Sequence, residues 1–359
     1  KTAALAEQIA HEFWLNDDNC EICYRQQKRY RAYLADAPEK IPPKQGSQLQ
    51  FTPEEVLLIT GGTGGLGLLL AQHFVEHYGV KRLVLSGREP LPPRQQWNAN
   101  HHDKVRQKIQ AIQSLEAQGV QVQVLPLTLS DASAVTESLD QITANFGTIA
   151  GILHCAGIVD AETPAFVRKS LASVAQVLEP KVAGLQVLLA KGKEYPLKFA
   201  VLFSSVSAII PSLASGQSDY ATANAYMDYV AQATGGVLVS IQWPSWQETG
   251  MGAAHSQAYQ DTGLLRLSNR EGLQLLDEIL SQKIGPVVLP ALVQASFWHP
   301  QQLMQHQSKR VKSSPVLSPN PPAVVSTEPS ASSRFTLQQL INLFSQELGI
   351  SAAKLELDK

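Results

Sequence analysis

Cysteine is scarce in this chain, with 3 among 359 residues, and the formal net charge is only -2 at pH 7. So few cysteines cannot form a disulfide scaffold and are typical of a reducing compartment, so we expect a cytoplasmic protein. The balanced charge gives no chain-wide basic surface and does not indicate a nucleic-acid partner. No apolar run is long enough to span a bilayer, so we expect no membrane partner.

A metal site is not expected either. Cys20 and Cys23 form one C-x-x-C pair. A zinc site needs about four ligands, and no second Cys or His pair follows at a suitable spacing.

Hydrophobic residues make up 44% of the chain, which is enough to build a substantial core. Short apolar runs predict buried strands at residues 56–60, 82–86, 120–127, 149–155, 199–204, 237–243 and 286–289. Stretches between them predict helices at residues 66–78, 104–118, 132–146, 171–191, 217–234 and 269–281. Apolar strands joined by helices are typical of a parallel sheet covered on both faces. We therefore predict an α/β fold, a Rossmann-like doubly wound parallel sheet of about seven strands, with a short N-terminal extension and a C-terminal linker.

Composition divides the chain into four parts. Residues 1–50 are polar and mixed, with an edge strand predicted at 21–25, and residues 51–299 hold the α/β domain. Residues 300–334 are rich in Pro, Ser and Gln, which predicts a flexible tether. Residues 335–359 open with the apolar periodicity of a helix and predict the start of a further domain.

A glycine-rich run, TGGTGGLG, lies at residues 60–67 between the first predicted strand and the first predicted helix of the sheet. A dinucleotide pyrophosphate binds backbone amides at a helix N-terminus, where a Cβ would be in the way. This position makes the run more specific than glycine spacing alone. The residues expected to contact a cofactor here are Gly61, Thr63, Gly64, Gly65, Leu66 and Gly67.

The end of the second strand distinguishes between nicotinamide cofactors. NAD sites place an acidic residue there for the ribose hydroxyls, whereas NADP sites use a cation for the 2′-phosphate. This strand ends at Ser86 and is followed by Arg88, with no carboxylate before Glu89. Arg88 can contact a phosphate through two donors, and Ser86 can donate a hydrogen bond. We therefore expect NADPH, the alternative being that Arg88 is an ordinary loop cation.

Tyr220 and Asn224 are four residues apart and share one face of a predicted helix. A free tyrosine has a pKa of about 10 and is a poor donor at neutral pH unless a nearby cation stabilises its phenolate. No lysine or arginine follows on the same helix face, but Lys181 lies on the preceding predicted helix.

These motifs carry a resemblance. From about residue 56 to residue 292 the chain resembles the ketoreductase domain of modular type I polyketide synthases, in the short-chain dehydrogenase/reductase superfamily. Ordinary members place lysine four residues after the tyrosine, whereas the polyketide branch has asparagine there and takes its lysine from the earlier helix. Asn224 and Lys181 fit this exchange. The other matching stretches are the glycine run and residues 86–88 (SGR), 154–157 (HCAG), 180–184 (PKVAG), 203–205 (FSS), 220–225 (YATANA) and 243–251 (WPSWQETGM).

The resemblance implies NADPH-dependent reduction of a carrier-bound β-ketoacyl thioester to the β-hydroxyacyl thioester. Tyr220 would donate the proton, and Ser205 would hydrogen-bond the substrate carbonyl. Lys181 would lower the tyrosine pKa and hold the ribose, while Asn224 would orient Lys181 and a water.

The resemblance also adds cofactor contacts in two loops. His154, Ala156 and Gly157 follow from the HCAG stretch. Many relatives have an aspartate after the third strand that holds the adenine; here Thr128 occupies that place, and Asp131 follows.

The catalytic serine is ambiguous. Ser205 matches the Phe-Ser-Ser context, but it lies further before Tyr220 than the family's serine usually does, whereas Ser207 meets that spacing. We favour Ser205, because it ends the strand and a loop easily absorbs two extra residues.

Other family features are only partly present. The stereochemical Asp pair is represented by Asp160 and Ala161, and Ser212 is nearest to the tryptophan that marks the opposite hand, so the product configuration stays open. Residues 249–265 correspond to a mobile lid, the alternative being a simple surface loop.

The flanks also resemble parts of a polyketide synthase. Residues 335–359 resemble the first helix of an acyl carrier domain, and residues 21–25 resemble the end of the non-catalytic half of such reductases. We therefore expect a segment of a longer protein, with neighbouring synthase domains and a phosphopantetheine-bearing carrier as partners. The alternatives are a catalytically silent structural reductase domain and a free-standing short-chain dehydrogenase of a small metabolite.

Overall fold

The computed structural model of the chain describes residues 21–26, 28–35, 49–160, 163, 168–249, 256–282 and 284–304, with positions 8, 11, 12 and 15 near the N-terminus. The chain divides into a unit Lys1–Ser308 and a unit Lys309–Lys359. The second unit, with the helix predicted at 335–348, lies outside the described residues, as do most of the predicted tether and residues 250–255 of the predicted lid.

The seven predicted strands are confirmed as one parallel sheet, with the order β5-β4-β3-β6-β7-β8-β9. Two further strands, β1 and β2, form a separate antiparallel hairpin. The bounds are β1 Ile22–Arg25, β2 Lys28–Arg31, β3 Glu55–Thr60, β4 Arg82–Gly87, β5 Gln121–Pro126, β6 Thr148–His154, β7 Phe199–Ser205, β8 Leu238–Trp243 and β9 Val287–Val288.

Helices cover both faces of the sheet, as expected for a Rossmann-like fold. In the described part of the chain they are α1 Gly65–Tyr78, α2 Asp103–Ala117, α3 Ala132–Asn145, α4 Leu171–Leu178, α5 Ala183–Gly192, α6 Pro211–Ala214, α7 Ser218–Thr234, α8 Gln257–Asp261, α9 Asn269–Gln282 and α10 Pro300–Leu303.

Strand β3 shows why its apolar run is continuous rather than alternating. Leu57 and Ile59 pack in the core on one side of the sheet with Phe74 of α1. Val56 and Leu58 pack in the core on the other side. All four side chains are at most 1% exposed, which is the pattern of a strand buried on both faces.

The strand order reverses direction at β3, which pairs with β4 on one side and β6 on the other. In open parallel sheets, ligands bind outside the carboxyl ends of the strands at such a switch point. The glycine-rich run follows β3 directly, so the fold places it in this crevice.

The single helix predicted over residues 171–191 is wrong. The structure has two helices, α4 and α5, joined by a turn that contains Pro180 and Lys181. Proline lacks the backbone N–H and clashes with the preceding turn of a helix, so it interrupts the segment. As a result Lys181 lies in a bend and not on a helix.

The single edge strand predicted at residues 21–25 is instead one half of the hairpin. Gln26 adopts φ 50° at the turn, and the Tyr229 hydroxyl of α7 donates to the Glu21 carboxylate.

At the other end of the domain, α10 and the buried side chain of Met304 extend the packed structure past the predicted boundary at 299. Within the described residues, no helix has the length and apolar character that a membrane crossing requires.

Candidate active site

A cleft of about 950 Å³ opens at the carboxyl edge of the sheet. Its walls include the first residues after β3, β4, β6, β7 and β8. The predicted cofactor contacts that line it are Gly61, Thr63, Gly64, Gly65, Leu66, Gly67, Ser86, Arg88, Ala156 and Gly157. Of the proposed reacting residues, Lys181, Ser205 and Tyr220 line it, together with Ser207.

The glycine-rich run forms a cradle that side chains would fill. Gly61 has φ +67°, and a Cβ there would lie 2.9 Å from the Ala156 backbone nitrogen. A Cβ on Gly67 would lie 2.5 Å from the Gly61 oxygen. At Gly65, no heavy atom of the described residues would be within 4 Å of a Cβ, so this position faces open space at the start of α1. The tight backbone and the open helix N-terminus together fit a pyrophosphate group.

Charged groups lie at the end of the cleft beside β4. Arg88 is exposed and lines the cleft, and Ser86 is 1% exposed at the end of the strand. Sequence reasoning missed Lys108 of α2, which also lines the cleft and whose Nζ lies 3.6 Å from a carboxylate oxygen of Glu89. In the sequence, Lys108 is an ordinary lysine on a predicted amphipathic helix. Its place at the cleft depends on how α2 packs, which the sequence pattern does not show.

The Lys181 side chain is buried and directed toward Tyr220. Lys181 is 2% exposed, and its Nζ donates to the Phe203 carbonyl at 2.7 Å. The same Nζ lies 5.8 Å from the centroid of the Tyr220 ring. An ammonium within about 6 Å of an aromatic ring centroid is attracted to that ring. The turn at Pro180 therefore brings the predicted amine and phenol together.

Tyr220, Asn224 and Asp228 recur every four residues along one face of α7. The Asn224 amide nitrogen donates to the Tyr220 carbonyl at 2.7 Å, and its Oδ1 is buried without a hydrogen-bond partner among the described residues. Asp228 accepts hydrogen bonds from Ser240 Oγ at 2.5 Å and Gln242 Nε2 at 2.8 Å. This acidic residue was not singled out from the sequence, although its spacing places it on the face of Tyr220.

Ser205 ends β7, and Ser207 lies in the 3-10 turn that follows. The backbone nitrogen and hydroxyl of Ser207 both donate to Ser205 Oγ, at 3.2 and 3.1 Å. The short helix α6 lies between this turn and Tyr220.

Comparison with known proteins agrees with the fold and the cleft described above. Residues 56–248 match the KR domain family. The chain belongs to the ketoreductase (KR) domain family of modular polyketide synthases.

The relatives of this ketoreductase domain are parts of much larger chains. It is 50% identical over 361 residues to the polyketide synthase PksL of Bacillus subtilis, which covers 99% of this chain but 8% of PksL. It is 36% identical over 224 residues to the 6-methylsalicylic acid synthase of Aspergillus terreus, covering 60% of this chain and 12% of that one. The domain therefore spans only a small fraction of the curated relatives it matches.

Solved structures of ketoreductase domains share the fold. One from the bacillaene assembly line superposes with a TM-score of 0.66 at 28% identity, covering 84% of this chain and 68% of that chain. One from the macrolactin assembly line gives a TM-score of 0.60 at 29% identity, covering 80% of this chain and 53% of that chain. This domain is an oxidoreductase of the short-chain dehydrogenase/reductase class, whose members bind a nicotinamide cofactor, and the reaction of its family is β-ketoreduction.

Burial sets the proton affinities in the ketoreductase cleft. It raises the pKa of Tyr220, although the neighbouring Asn224 amide and Ser205 hydroxyl oppose that rise. It lowers the pKa of Lys181 to about 8, although the nearby Asp228 carboxylate opposes that fall. The phenol is therefore protonated at neutral pH, and the lysine loses its charge as the pH rises through about 8.

Two predicted cofactor contacts do not line the cleft. The His154 side chain is fully buried, its Nδ1 is 2.7 Å from Thr60 Oγ1, and burial, followed by the charge of Lys181, lowers its pKa to about 3. The Asp131 carboxylate instead caps α3 by accepting from the Ala134 backbone nitrogen at 3.0 Å. Thr128 lines the cleft. The Asp131 and His154 side chains therefore lie outside the described lining of the cleft, and their contact with a cofactor stays a prediction.

Proposed function

We propose that this domain uses NADPH to reduce a carrier-bound β-ketoacyl thioester to the β-hydroxyacyl thioester. The observation that carries the proposal is the 5.8 Å separation between Lys181 Nζ and the Tyr220 ring, in a cleft that also contains the glycine cradle and Ser205. When bound, the cofactor supplies a hydride to the β-carbon. The residues of the chain have to supply binding, orientation and a proton.

Tyr220 is the proposed proton donor. Its raised pKa keeps the phenol protonated over the neutral range, and the reaction leaves an oxyanion that needs that proton. Donation creates a phenolate in a buried site, where an isolated charge is costly. The nearby Lys181 ammonium offsets that charge, so the amine assists the donor electrostatically.

Asn224 is proposed to complete the environment of Lys181. One ammonium proton is used on the Phe203 carbonyl, and an ammonium has three donors. The buried Oδ1 of Asn224 is an acceptor for a further donor, either the amine or a water. By accepting from the amine or from a water, Asn224 has a role at the position where ordinary short-chain dehydrogenases carry lysine.

Ser205 is proposed as the second donor to the substrate oxygen. Ser207 is buried, at 7% exposure, whereas Ser205 is partly exposed, and both line the cleft. The Ser205 hydroxyl is also the one that hydrogen-bonds Tyr220. These observations favour Ser205 over Ser207.

Ser205→Ala is expected to lower kcat by about 10²-fold, since one lost donor to a developing oxyanion has effects of this size. Ser207→Ala removes a supporting hydroxyl and is expected to lower kcat less than about tenfold. Steady-state kinetics of both variants with one ketone substrate measure the difference. A larger loss in Ser207→Ala than in Ser205→Ala would assign the role to Ser207.

NADPH is proposed over NADH because cations lie where a 2′-phosphate would be bound. Arg88 and Lys108 line that end of the cleft, and Ser86 offers a hydroxyl. Guanidinium groups bind phosphate through two parallel hydrogen bonds. Glu89 also lines the cleft but lies 3.6 Å from Lys108 Nζ, so its charge is offset.

Arg88→Ala is expected to raise the KM for NADPH about 10- to 100-fold, the effect of losing hydrogen bonds to a charged group. The KM for NADH should change little, because NADH has no 2′-phosphate. Initial rates with both cofactors test this expectation. A wild-type preference for NADH, or an Arg88→Ala variant with an unchanged ratio between the cofactors, would contradict the assignment of NADPH.

The domain organisation and partners of the longer protein are proposals as well. We propose that residues 51–299 together with α10 form the reductase domain, that the tether after it reaches residue 334, and that residues 335–359 begin an acyl carrier domain. The carrier would present the β-ketoacyl chain on phosphopantetheine, beside other synthase domains. The cytoplasm stays a prediction from the low cysteine content.

The proposal is tested with the purified chain, NADPH and a β-ketobutyryl N-acetylcysteamine thioester. We expect NADPH oxidation and a β-hydroxybutyryl product. A catalytically silent domain would bind NADPH, measured by its fluorescence, without oxidising it. A free-standing dehydrogenase would reduce small ketones but not the thioester.

A further inference from the structure

A buried ionic cluster lies next to the proposed active site but outside the residues assigned to it. Lys169 Nζ donates to Asp219 Oδ2 at 2.7 Å and lies 3.7 Å from Asp160 Oδ2. The side chains of Lys169 and Asp219 are each 1% exposed, and that of Asp160 is 16% exposed. Buried charges of this kind persist only when they are paired.

Each carboxylate ties Lys169 to a different wall of the cleft. Asp219 precedes Tyr220, and its Oδ1 accepts the Tyr220 backbone N–H at 2.9 Å. Asp160 follows a loop whose residues 156–159 line the cleft. The Asp160 carboxylate also accepts from Ser173 Oγ of α4 at 2.6 Å and from the Thr163 backbone nitrogen at 3.2 Å.

We propose that Lys169 is a positioning residue, which holds the first turn of α7, and with it Tyr220, against the cleft loop that follows β6. The inference rests on the proposed function, since it assigns a catalytic purpose to the placement of Tyr220. The first turn of α7 comes after residues 215–217, which separate it from α6 and belong to no helix. Lys169 supplies a fixed point there without touching substrate.

The cluster also gives Asp160 a role of its own. Asp160 is at the position of the first aspartate in the family's stereochemical pair, but it is not among the residues lining the cleft. Its carboxylate is directed to Lys169 and Ser173. Through these contacts the side chain anchors the loop to Lys169 and to α4.

The test compares Lys169→Met, Asp219→Asn and the double variant. Lys169→Met leaves the buried Asp219 carboxylate without its ammonium partner, and Asp219→Asn removes the nearer of the two carboxylates that Lys169 contacts. Each change is therefore expected to lower the melting temperature. The double variant removes both charges of the 2.7 Å pair and is expected to recover most of that loss. Its Asn oxygen can still accept the Tyr220 N–H. Lys198→Met is the matched control, because Lys198 forms an ion pair with Glu55 at 2.6 Å and does not line the cleft.

Amide hydrogen exchange and kinetics then separate positioning from stability. In the folded double variant we expect the peptide covering the first turn of α7 to exchange at least about fivefold faster, with little change at the C-terminal end of the helix. We also expect kcat for the thioester to fall at least about tenfold, while its KM and the Kd for NADPH change less than about threefold. Lys198→Met should leave both measurements unchanged.

A double variant with wild-type exchange and wild-type kcat would overturn the inference and make the cluster purely structural. A wild-type protein that does not reduce the thioester would instead overturn the proposed function. The exchange measurement still decides in that case whether Lys169 orders the first turn of α7. The two failures are therefore distinguishable.

Discussion

Tyr220→Phe is expected to lower kcat for thioester reduction by about 10²- to 10⁴-fold, the usual contribution of a positioned general acid. The change removes one oxygen and keeps the ring that faces Lys181. The fold should therefore persist, and the Kd for NADPH should stay within about twofold of wild type. Without the phenol, the oxyanion formed on the substrate would have to take its proton from water.

Tyr226→Phe is the matched control for this variant. Tyr226 lies on the same helix, and its hydroxyl accepts a hydrogen bond from Gln186 Nε2 at 2.8 Å, away from the cleft lining. It should retain kcat within about twofold. Steady-state rates for the two variants under saturating substrate make the comparison, and a Tyr220→Phe enzyme as fast as Tyr226→Phe would contradict the assignment of the donor.

Lys181→Met is expected to have the second largest effect, a loss of about 10²- to 10³-fold in kcat, similar to removing one preorganised donor from a charge-stabilising site. Methionine keeps an unbranched side chain of similar length in a position that is 2% exposed. The variant should therefore lose the charge with little loss of packing. Lys191→Met, on α5 and paired with Asp140 at 2.7 Å, is the control and should keep wild-type rates.

The pH dependence of kcat identifies the role of the amine. Burial lowers the pKa of Lys181 to about 8, so the ammonium is present below that pH and is lost as the pH rises through it. Wild-type kcat for reduction should therefore fall above about pH 8. The pKa of Tyr220 is raised, so this alkaline limb belongs to the lysine, and Lys181→Met should lack it. An unchanged limb in the variant would assign the titration to another group.

Most of the sheet could be predicted from the sequence because its central strands, such as β3, β6 and β7, are buried on both faces. In β3 the four positions between Glu55 and Thr60 are all apolar, and the glycine-rich run that follows allows few other interpretations. The helix over residues 171–191 failed because its apolar periodicity continues through Pro180. The break matters, since it turns Lys181 into the cleft.

The side chains that sequence reasoning missed are those placed by tertiary packing. Lys108 and Lys169 look like ordinary surface lysines, and only the packing of α2 and the loop before α4 shows what each contacts. The Asp131 side chain is engaged locally, because a carboxylate just before a helix caps its N-terminus. The choice between Ser205 and Ser207 stays a prediction, and the observation that favours Ser205, its hydrogen bond to Tyr220, is a tertiary contact that no spacing contains.

The most direct test of the account is the fate of deuterium carried at both C4 positions of NADPH. After incubation with the β-ketobutyryl thioester, the account predicts one deuterium on the β-carbon of the hydroxyacyl product, read by mass spectrometry and NMR, and almost no product from Tyr220→Phe. A hydroxyacyl product without deuterium at the β-carbon, or consumption of NADPH with no hydroxyacyl product, would contradict it.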